Sequence, residues 1–195
     1  MNKKVACIGN KNHFMLNLVR FLRDNNIDAW LLLLEDENDN FHPKNDDYTN
    51  DYKSFTISLN WRDKPIYLFT KKEIQNDLSG FDIFIGCDFS PAFLNKAKLK
   101  LDAFVPFGED IYGLPLKKSK PINITFNLKE NYSNLLWKIR ENELYKNQKK
   151  GIIKAKNIFM DILNPEFEKE VFSKLKFNKK RKKIPPPFIY TPIYN

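Results

Sequence analysis

The sequence predicts an α/β protein built on a doubly wound, mostly parallel sheet with helices on both faces. The first observation is the order of patterns at the start of the chain. Residues 4–9 form a short apolar run, residues 13–25 carry apolar side chains at helical spacing, and residues 27–34 form a second apolar run. Strand, helix and strand in this order indicate a right-handed βαβ unit with parallel strands. Asn12 is expected to cap the helix.

The second observation is that the same order recurs in the middle of the chain. Residues 81–86 are apolar, β-branched and aromatic, as in a buried strand. Ser90 precedes a proline and is a good N-cap for a short helix that runs to about residue 100. Residues 103–107 form the next apolar run. The turn at residues 108–110 therefore follows the carboxyl end of a strand, where ligands bind in open α/β sheets.

Between these two units the patterns are less regular. Residues 35–52 are acidic and rich in Asn and Asp without periodicity, which predicts a long, flexible surface loop with a solvated His42. Residues 55–61 alternate as a strand does, and residues 66–69 are expected to form another short strand. Thr70 stands three residues before a glutamate, which predicts a capping box at the start of the next helix.

The second half of the chain predicts helices separated by one short strand. Residues 128–150 carry the longest helical pattern, Gly151 is expected to interrupt it, and residues 152–156 are expected to continue as further helix. Residues 157–161 are strand-like, and Asn164 before a proline starts another helix. Residues 184–195 contain several prolines, which is typical of an edge strand or a connector.

We expect residues 1–195 to form a single domain with an unevenly distributed charge. The first 114 residues hold 17 acidic and 14 basic side chains, whereas the remainder holds 7 acidic and 19 basic ones. A basic second half with a basic C-terminal segment, residues 176–195, indicates an anionic neighbour such as a membrane surface, nucleic acid or a phosphorylated ligand. Five residues are expected to contact an anionic membrane, although such a run is more often a solvated face: Lys179, Lys180, Arg181, Lys182 and Lys183.

Several classes of protein are disfavoured. No run of about eighteen apolar residues is present, so no transmembrane helix is expected, and residues 1–4 lead into the first strand without a signal peptide's apolar segment. Cys7 and Cys87 lie in or beside apolar runs, which predicts buried, reduced thiols. No zinc-type Cys/His spacing is present, and no Ser-His-Asp or Cys-His order is convincing, so hydrolase chemistry is not supported. Only Gly9 remains of a dinucleotide fingerprint, which disfavours nicotinamide and flavin cofactors.

The candidate site residues follow the predicted strands at the carboxyl edge of the sheet. Asp110 and Glu109 are the candidate catalytic residues, because a carboxylate in a cleft orients or deprotonates a hydroxyl group. The alternative is that this pair only caps a turn, and that Ser90 is only an N-cap. His13 is a candidate donor to a phosphate at a helix N-terminus. The full set of candidate substrate-binding residues is Gly9, Asn10, Asn12, His13, Asp88, Ser90 and Gly108.

Three short motifs occur in a specific order along the second half of the chain. They are VPFGEDIY at residues 105–112, QKKGIIKA at residues 148–155 and TPIYN at residues 191–195. This order resembles the N-terminal, acceptor-side domain of retaining GT-B glycosyltransferases of the family 4 type. Those enzymes pair two Rossmann-like domains and are common in bacterial surface-polysaccharide synthesis, including that of lipopolysaccharide. The resemblance covers essentially the whole chain.

The resemblance implies an enzyme that transfers a sugar from a nucleotide-sugar donor to a glycan or lipid-linked acceptor. It implies a cytoplasmic protein that is peripheral at the inner face of the membrane, with no cofactor besides the donor substrate. In the family a second Rossmann domain with a glutamate pair holds most of the donor, and no matching pair occurs here. A missing domain or a partner chain is therefore expected to complete the enzyme. The single Gly9 also departs from the Gly-rich first turn of many members.

Two other functions stay open at this point. A non-catalytic α/β binding or regulatory module is consistent with the absence of donor-binding motifs. A basic adaptor for membranes or nucleic acid would use the same positive charge. No zinc-finger, RRM or helix-turn-helix signature is present, which disfavours nucleic acid as the partner.

Overall fold

The computed structural model describes residues 3–34, 40–45, 50–108, 110–111, 128–160, 165–176 and 181–183. Within these ranges seven strands form one sheet, and every neighbouring pair is parallel. The strands are β1 (Val5–Ile8), β2 (Ala29–Leu33), β3 (Thr56–Ser58), β4 (Ile83–Gly86), β5 (Ala103–Phe104), β6 (Asn157–Met160) and β7 (Arg181–Lys183). The helices are α1 (Phe14–Asp24), α2 (Lys71–Asp77), α3 (Ser90–Lys96), α4 (Leu128–Lys154) and α5 (Pro165–Leu175).

The strand order is β3-β2-β1-β4-β5-β6-β7, so the chain reverses its direction across the sheet between β3 and β4. Val5 pairs with Ala29 of β2 on one side and with Ile83 of β4 on the other. The turns after β1 and β4 therefore lie side by side at the carboxyl edge. This is the point at which open, doubly wound sheets form a ligand-binding crevice. The α/β, Rossmann-like fold that the sequence predicts is confirmed.

Alternate residues of each strand supply two separate cores, one on each face of the sheet. Ala6 and Ile8 of β1 belong to a core that also includes buried residues of α2, α3, α4 and α5. Val5 and Cys7 belong to the opposite core, in which the helical partner is α1. Helices thus cover both faces, as predicted. Cys7 and Cys87 are buried free thiols, also as predicted, and burial raises the pKa of Cys7 to about 12.

Helix α4 is not interrupted at Gly151 but runs without a break to Lys154, so the further helix predicted after the glycine is part of α4. A Cβ atom at Gly151 would lie 1.9 Å from the carbonyl oxygen of Pro91 and 2.4 Å from its carbon. The glycine therefore allows α4 to pack directly against the first turn of α3. The prediction of a break was wrong because a glycine at a helix crossing has the same sequence signature as a helix-ending glycine.

Residues 66–69 form a 3₁₀ helix, Ile66–Leu68, rather than the predicted strand. Ile66 and Phe69 are 3% and 7% exposed, whereas Tyr67 and Leu68 between them face the solvent. Two buried residues three positions apart match one turn of a 3₁₀ helix and not the alternation of a strand. The capping box predicted at Thr70 is present: Thr70 and Glu73 each accept a hydrogen bond from the other's backbone N–H.

The first helix is capped differently from the prediction. Helix α1 begins at Phe14, and Asn12 and His13 both lie in the left-handed region, with φ of 51° and 57°. The side-chain oxygen of Asn10, not that of Asn12, accepts a hydrogen bond from the backbone N–H of Leu16 at 3.0 Å. Because Asn12 and His13 are both left-handed, the chain changes direction just before the helix starts. The capping side chain therefore comes from the earlier residue Asn10.

The described parts of the 35–52 segment differ from a solvated loop. They contain two 3₁₀ helices, Pro43–Asn45 and Asp51–Ser54. Tyr52 is 8% exposed, and its ring meets His42 edge to face at 5.9 Å. Buried Arg20 of α1 binds the Asp51 carboxylate at 2.8 Å. Aromatic packing and this ion pair hold the described residues against α1 despite their polar composition.

Candidate functional site

A cleft of about 420 Å³ opens at the carboxyl edge of the sheet, beside the turns that follow β1, β4 and β5. Its lining combines two cations, two carboxylates, three phenylalanines and one amide: Lys11, Arg62, Asp88, Asp110, Phe41, Phe89, Phe107 and Asn12. A smaller adjoining pocket includes Gly9, Asn10 and His42 together with Lys11, Phe41 and Asp88. The described residues thus form a polar cleft at the switch point that the topology defines.

Asp110 lies at the base of this cleft and is 5% exposed. Its two carboxylate oxygens accept hydrogen bonds from the backbone N–H groups of Phe107, Gly108 and Asp88, at 2.9 to 3.2 Å. Burial raises the pKa of the Asp110 carboxyl from 3.8 to about 7; the N–H groups of Phe107 and Gly108 act in the opposite direction, and the Asp88 carboxylate adds to the increase. Asp110 therefore both closes its own turn and exchanges a proton near neutral pH.

Asp88 joins the turn after β4 to the rest of the cleft. It adopts a left-handed backbone conformation with φ of 51°, which a short polar side chain tolerates better than most. Its backbone N–H binds Asp110, and its carboxylate lies 3.3 Å from a guanidinium nitrogen of Arg62. Asp88 therefore connects the buried Asp110 carboxylate with the more exposed guanidinium of Arg62.

Arg62 and Lys11 supply the positive charge of the cleft. The Arg62 guanidinium lies over the ring of Phe89 at 4.9 Å, and the Lys11 ammonium lies over the ring of Phe41 at 5.0 Å. Cation–π contacts of this kind position a charged group, and Arg62 is held in addition by the Asp88 carboxylate. A phosphate or carboxylate entering the cleft would therefore meet two oriented cations.

Gln148 of α4 holds the two turns of the cleft from below and is fully buried. Its Nε2 donates to the backbone carbonyl oxygens of Asp88 at 2.8 Å and of Asp110 at 3.0 Å. Its Oε1 accepts from the backbone N–H of Ala92 at 3.1 Å. One side chain thereby joins α4, the first turn of α3 and both carboxylate-bearing turns. Gly151, one helical turn later, allows α4 to approach closely enough for these bonds.

The turn after β1 requires its glycine. Gly9 has φ of +85°, and a Cβ atom there would lie 2.8 Å from the sulfur of Cys87. The neighbouring Asn10 is 8% exposed; its Nδ2 donates to the carbonyl oxygen of Phe41 at 2.6 Å, while its Oδ1 caps α1. Asn10 is thus used mainly to fix the wall of the cleft, and its side chain is already paired on both sides.

The structure brings together most of the predicted catalytic and substrate-binding residues. Five of them line the cleft or its adjoining pocket: Gly9, Asn10, Asn12, Asp88 and Asp110. Gly108 contributes through its backbone N–H, which binds Asp110. Glu109, Lys179 and Lys180 lie outside the described residues, and Arg181, Lys182 and Lys183 form the edge strand β7.

Two predicted residues lie elsewhere. Ser90 does not cap α3: its side chain is fully buried, its Oγ has no hydrogen-bond partner among the described residues, and a Cβ on Gly86 would lie 2.2 Å from it. Phe89 takes the N-cap position without a side-chain hydrogen bond, because the helix starts one residue earlier than the proline suggests. His13 does not line the cleft, and within the part of the chain that the structure describes its buried Nδ1 has no hydrogen-bond partner.

The sequence did not predict Lys11, Arg62 or Gln148 as site residues. Lys11 had a signal, because it follows the first strand beside Gly9 and Asn10. Arg62 had the same kind of signal, because it directly follows the alternating run at residues 55–61, whereas Gln148 had none beyond its place in the motif at residues 148–155. In the part of the chain that the structure describes, no cluster of three or more His, Cys, Asp or Glu could hold a metal ion. Among the same residues, no helix is long and apolar enough to cross a membrane.

Two comparisons with known proteins found no match. No protein-family model matches the chain, and no curated protein matches it either.

Proposed function

We propose that this chain is the acceptor-binding half of a nucleotide-sugar-dependent glycosyltransferase. One observation carries the proposal: Asp88 and Asp110 share a cleft with Lys11 and Arg62 at the switch point of a Rossmann-like sheet. Carboxylates bind sugar hydroxyl groups, and cations bind phosphate or acidic groups on the same ligand. The order of the chain's motifs, which resembles acceptor-side GT-B domains, supports the same function.

In this proposal Asp110 orients or deprotonates the acceptor hydroxyl group. A base is most effective when its pKa is close to the working pH, and burial raises the pKa of Asp110 to about 7. Asp88 holds Arg62 in place and binds a second hydroxyl group. The nucleotide sugar is held by a second unit that faces the cleft, and no metal or further cofactor takes part in the binding of the acceptor.

A non-catalytic binding module is the second candidate, and one observation favours it. Both oxygens of Asp110 already accept backbone hydrogen bonds, as in a carboxylate that only closes a turn. The two candidates differ in what Asp110 contributes. A binding module needs only the shape and hydrogen bonds of the Asp110 side chain, whereas a transferase also needs Asp110 to accept and release a proton.

The test is a titration of ¹⁵N-labelled protein with hexoses, hexose disaccharides and uridine diphosphate, followed by two-dimensional NMR. We expect saccharides to shift the NMR signals of the backbone amides of Lys11, Asp88 and Gly108. Uridine diphosphate alone should bind at least tenfold more weakly than the saccharides do. An Arg62→Gln variant should lose affinity for acidic or phosphorylated sugars and keep affinity for neutral ones. If no saccharide shifts these amides, the acceptor-binding assignment is wrong.

The two candidates are then separated by transfer of radiolabelled sugar in an extract of the source cell supplemented with the purified chain. Asp110→Asn keeps the size of the side chain and removes its ability to exchange a proton. Loss of transfer with unchanged saccharide binding supports the transferase. Equal transfer by Asp110→Asn and wild type leaves only the binding module.

A further inference from the structure

A second pocket, which we term the side pocket, adjoins the cleft and has a volume of about 300 Å³. Most of its lining is apolar and comes from Trp61, Pro65, Ile66, Phe89, Phe93 and Leu144. Trp61 stacks on Phe93 at 4.8 Å, and its indole N–H donates to the Asp77 carboxylate at 2.8 Å. These two contacts hold the aromatic wall in place, so the side pocket is a preformed apolar space.

The two cations that line the side pocket are already paired with carboxylates. Arg62 lies 3.3 Å from the Asp88 carboxylate, and Lys64 lies 3.5 Å from the Glu73 carboxylate. A third charged side chain in the lining, Glu141, is itself acidic. Because the positive charge is balanced and a further carboxylate faces the same space, an anionic group would gain no net attraction here. The side pocket is therefore suited to a neutral group.

Two of these side chains keep hydrogen-bonding capacity for such a group. Glu141 accepts from the Tyr145 hydroxyl through Oε1 at 2.6 Å, and its Oε2 has no hydrogen-bond partner among the described residues. Lys64 carries three N–H donors; its ammonium faces Glu73 on one side and lies over the Phe69 ring at 4.2 Å. The side pocket thus offers one acceptor and one donor beside an apolar wall.

A secondary amide is a neutral group that uses a donor and an acceptor together. Its N–H pairs with a carboxylate oxygen, its carbonyl oxygen pairs with an ammonium, and its acyl methyl group packs on apolar side chains. An ammonium group would be attracted by Glu141 but repelled by Lys64 in the same pocket. The chemistry of the lining therefore favours an amide over either charged alternative.

The side pocket and the cleft share two residues, Arg62 and Phe89. The guanidinium of Arg62 lies over the Phe89 ring at 4.9 Å and stands at the junction of the two spaces. A ligand held by Asp88 and Asp110 in the cleft would therefore have one edge beside the side pocket. A substituent on that edge would enter the side pocket.

We propose that the side pocket binds the acetamido group of an N-acetylated acceptor sugar. The amide N–H donates to Glu141, Lys64 donates to the amide carbonyl oxygen, and the acetyl methyl group packs against Phe93 and Leu144. This inference rests on the proposed function for the sugar ring in the cleft, and it adds the substituent that the ring carries. Glu141, Lys64 and Leu144 are then specificity-determining residues.

The test compares three hexoses that share one ring and differ in a single substituent. Glucose carries a hydroxyl group, protonated glucosamine an ammonium group and N-acetylglucosamine an acetamido group at the same carbon. Burial of a methyl group raises affinity about fourfold, and a net hydrogen bond adds a factor of about two to ten. We therefore expect N-acetylglucosamine to bind about tenfold more tightly than glucose or better, and glucosamine to show no such gain.

The affinities are measured by NMR titration of protein with ¹³C-labelled Ile and Leu methyl groups. The methyl signals of Leu144 and Ile66, which both line the side pocket, should shift with N-acetylglucosamine and not with glucose. Ile139, which is 47% exposed and outside the lining, provides the unshifted control signal. Equal affinities for glucose and N-acetylglucosamine, or a preference for glucosamine, would overturn the proposal.

Three variants on α4 separate the contacts. Leu144→Trp fills the side pocket and should lose the preference for N-acetylglucosamine, whereas Ile139→Trp should keep it. Glu141→Ala removes the acceptor at a half-buried position and should weaken N-acetylglucosamine binding about two- to tenfold without changing glucose binding. A preference of wild-type size in both Leu144→Trp and Glu141→Ala, in proteins with wild-type circular dichroism, would overturn the assignment.

A non-sugar amide makes the outcome separable from that of the proposed function. N-cyclohexylacetamide carries the acetamido group on a ring without hydroxyl groups. If no saccharide binds but N-cyclohexylacetamide shifts the Leu144 and Ile66 methyl signals, the amide site stands and the acceptor-sugar assignment falls. If glucose and N-acetylglucosamine bind equally in the cleft and N-cyclohexylacetamide shifts neither signal, the proposed function stands and the side-pocket proposal is overturned.

Discussion

Substitution of Gln148 by leucine tests whether one buried side chain maintains the cleft. Leucine has a similar volume but cannot donate to the carbonyl oxygens of Asp88 and Asp110, which receive bonds of 2.8 and 3.0 Å in the wild type. Ala92 N–H keeps a second acceptor, the carbonyl of Phe89 at 2.9 Å, so it adds little to the cost. A buried polar group without a partner costs about 1 to 3 kcal/mol, so two carbonyls give about 2 to 6 kcal/mol.

The assay is urea unfolding followed by circular dichroism. The matched control is Asn147→Leu, at the adjacent position, where the side-chain oxygen accepts one bond from Asn95 at 2.7 Å and Nδ2 donates to Glu143. We expect that control to cost about 1 kcal/mol: Asn147 is 8% exposed, but its partners Asn95 and Glu143 are half-buried and can be hydrated when the bonds are lost. If Gln148→Leu costs no more than Asn147→Leu, the argument that Gln148 maintains the two turns is refuted.

Two further predictions concern residues around the same cleft. Because the pKa of Asp110 is raised to about 7 in the folded chain against an ordinary 3.8, the folded state keeps a proton that the unfolded state has released. Asp110 should therefore reduce stability by up to about 4 kcal/mol as pH rises from about 4 to about 7, and urea unfolding across this range should show a smaller decline for Asp110→Asn. Gly151→Ala places a Cβ 1.9 Å from the Pro91 carbonyl oxygen and should cost about 3 kcal/mol or more, whereas Gly80→Ala, which has open space and φ of +86°, should cost about 1 to 2 kcal/mol; equal shifts in Tm would contradict the close helix crossing.

The parts of the fold that were predictable depend on interactions between residues close together in the chain. The β1–α1–β2 order follows from the change of apolar spacing along residues 4–34, and the crossover rule then requires parallel strands. The capping box at Thr70 and Glu73 involves residues only three apart. For the same reason, the position of Asp88 and Asp110 at the carboxyl edge could be predicted from the ends of two apolar runs.

The rest of the site depends on packing between distant segments. Gln148 meets residues that precede it by 60 and 38 positions, and this pairing exists only because α4 crosses α3 at Gly151. Arg62 meets Asp88 across 26 positions, and the alternating run before Arg62 indicates a strand but not the turn that the residue after it contacts. Ser90 shows the converse. Its sequence context favours an N-cap, but α3 starts one residue earlier than that context predicts, and the Ser90 side chain packs against Gly86 instead.

The most direct test of the central claim is a crystal structure of the chain with the saccharide that binds most tightly in the NMR titration. The account predicts the sugar at the carboxyl edge of β1 and β4, with its hydroxyl groups within hydrogen-bond distance of the carboxylates of Asp88 or Asp110 and with Arg62 in contact. A sugar bound on another surface, or one that occupies the cleft without contacting either carboxylate, would contradict the account.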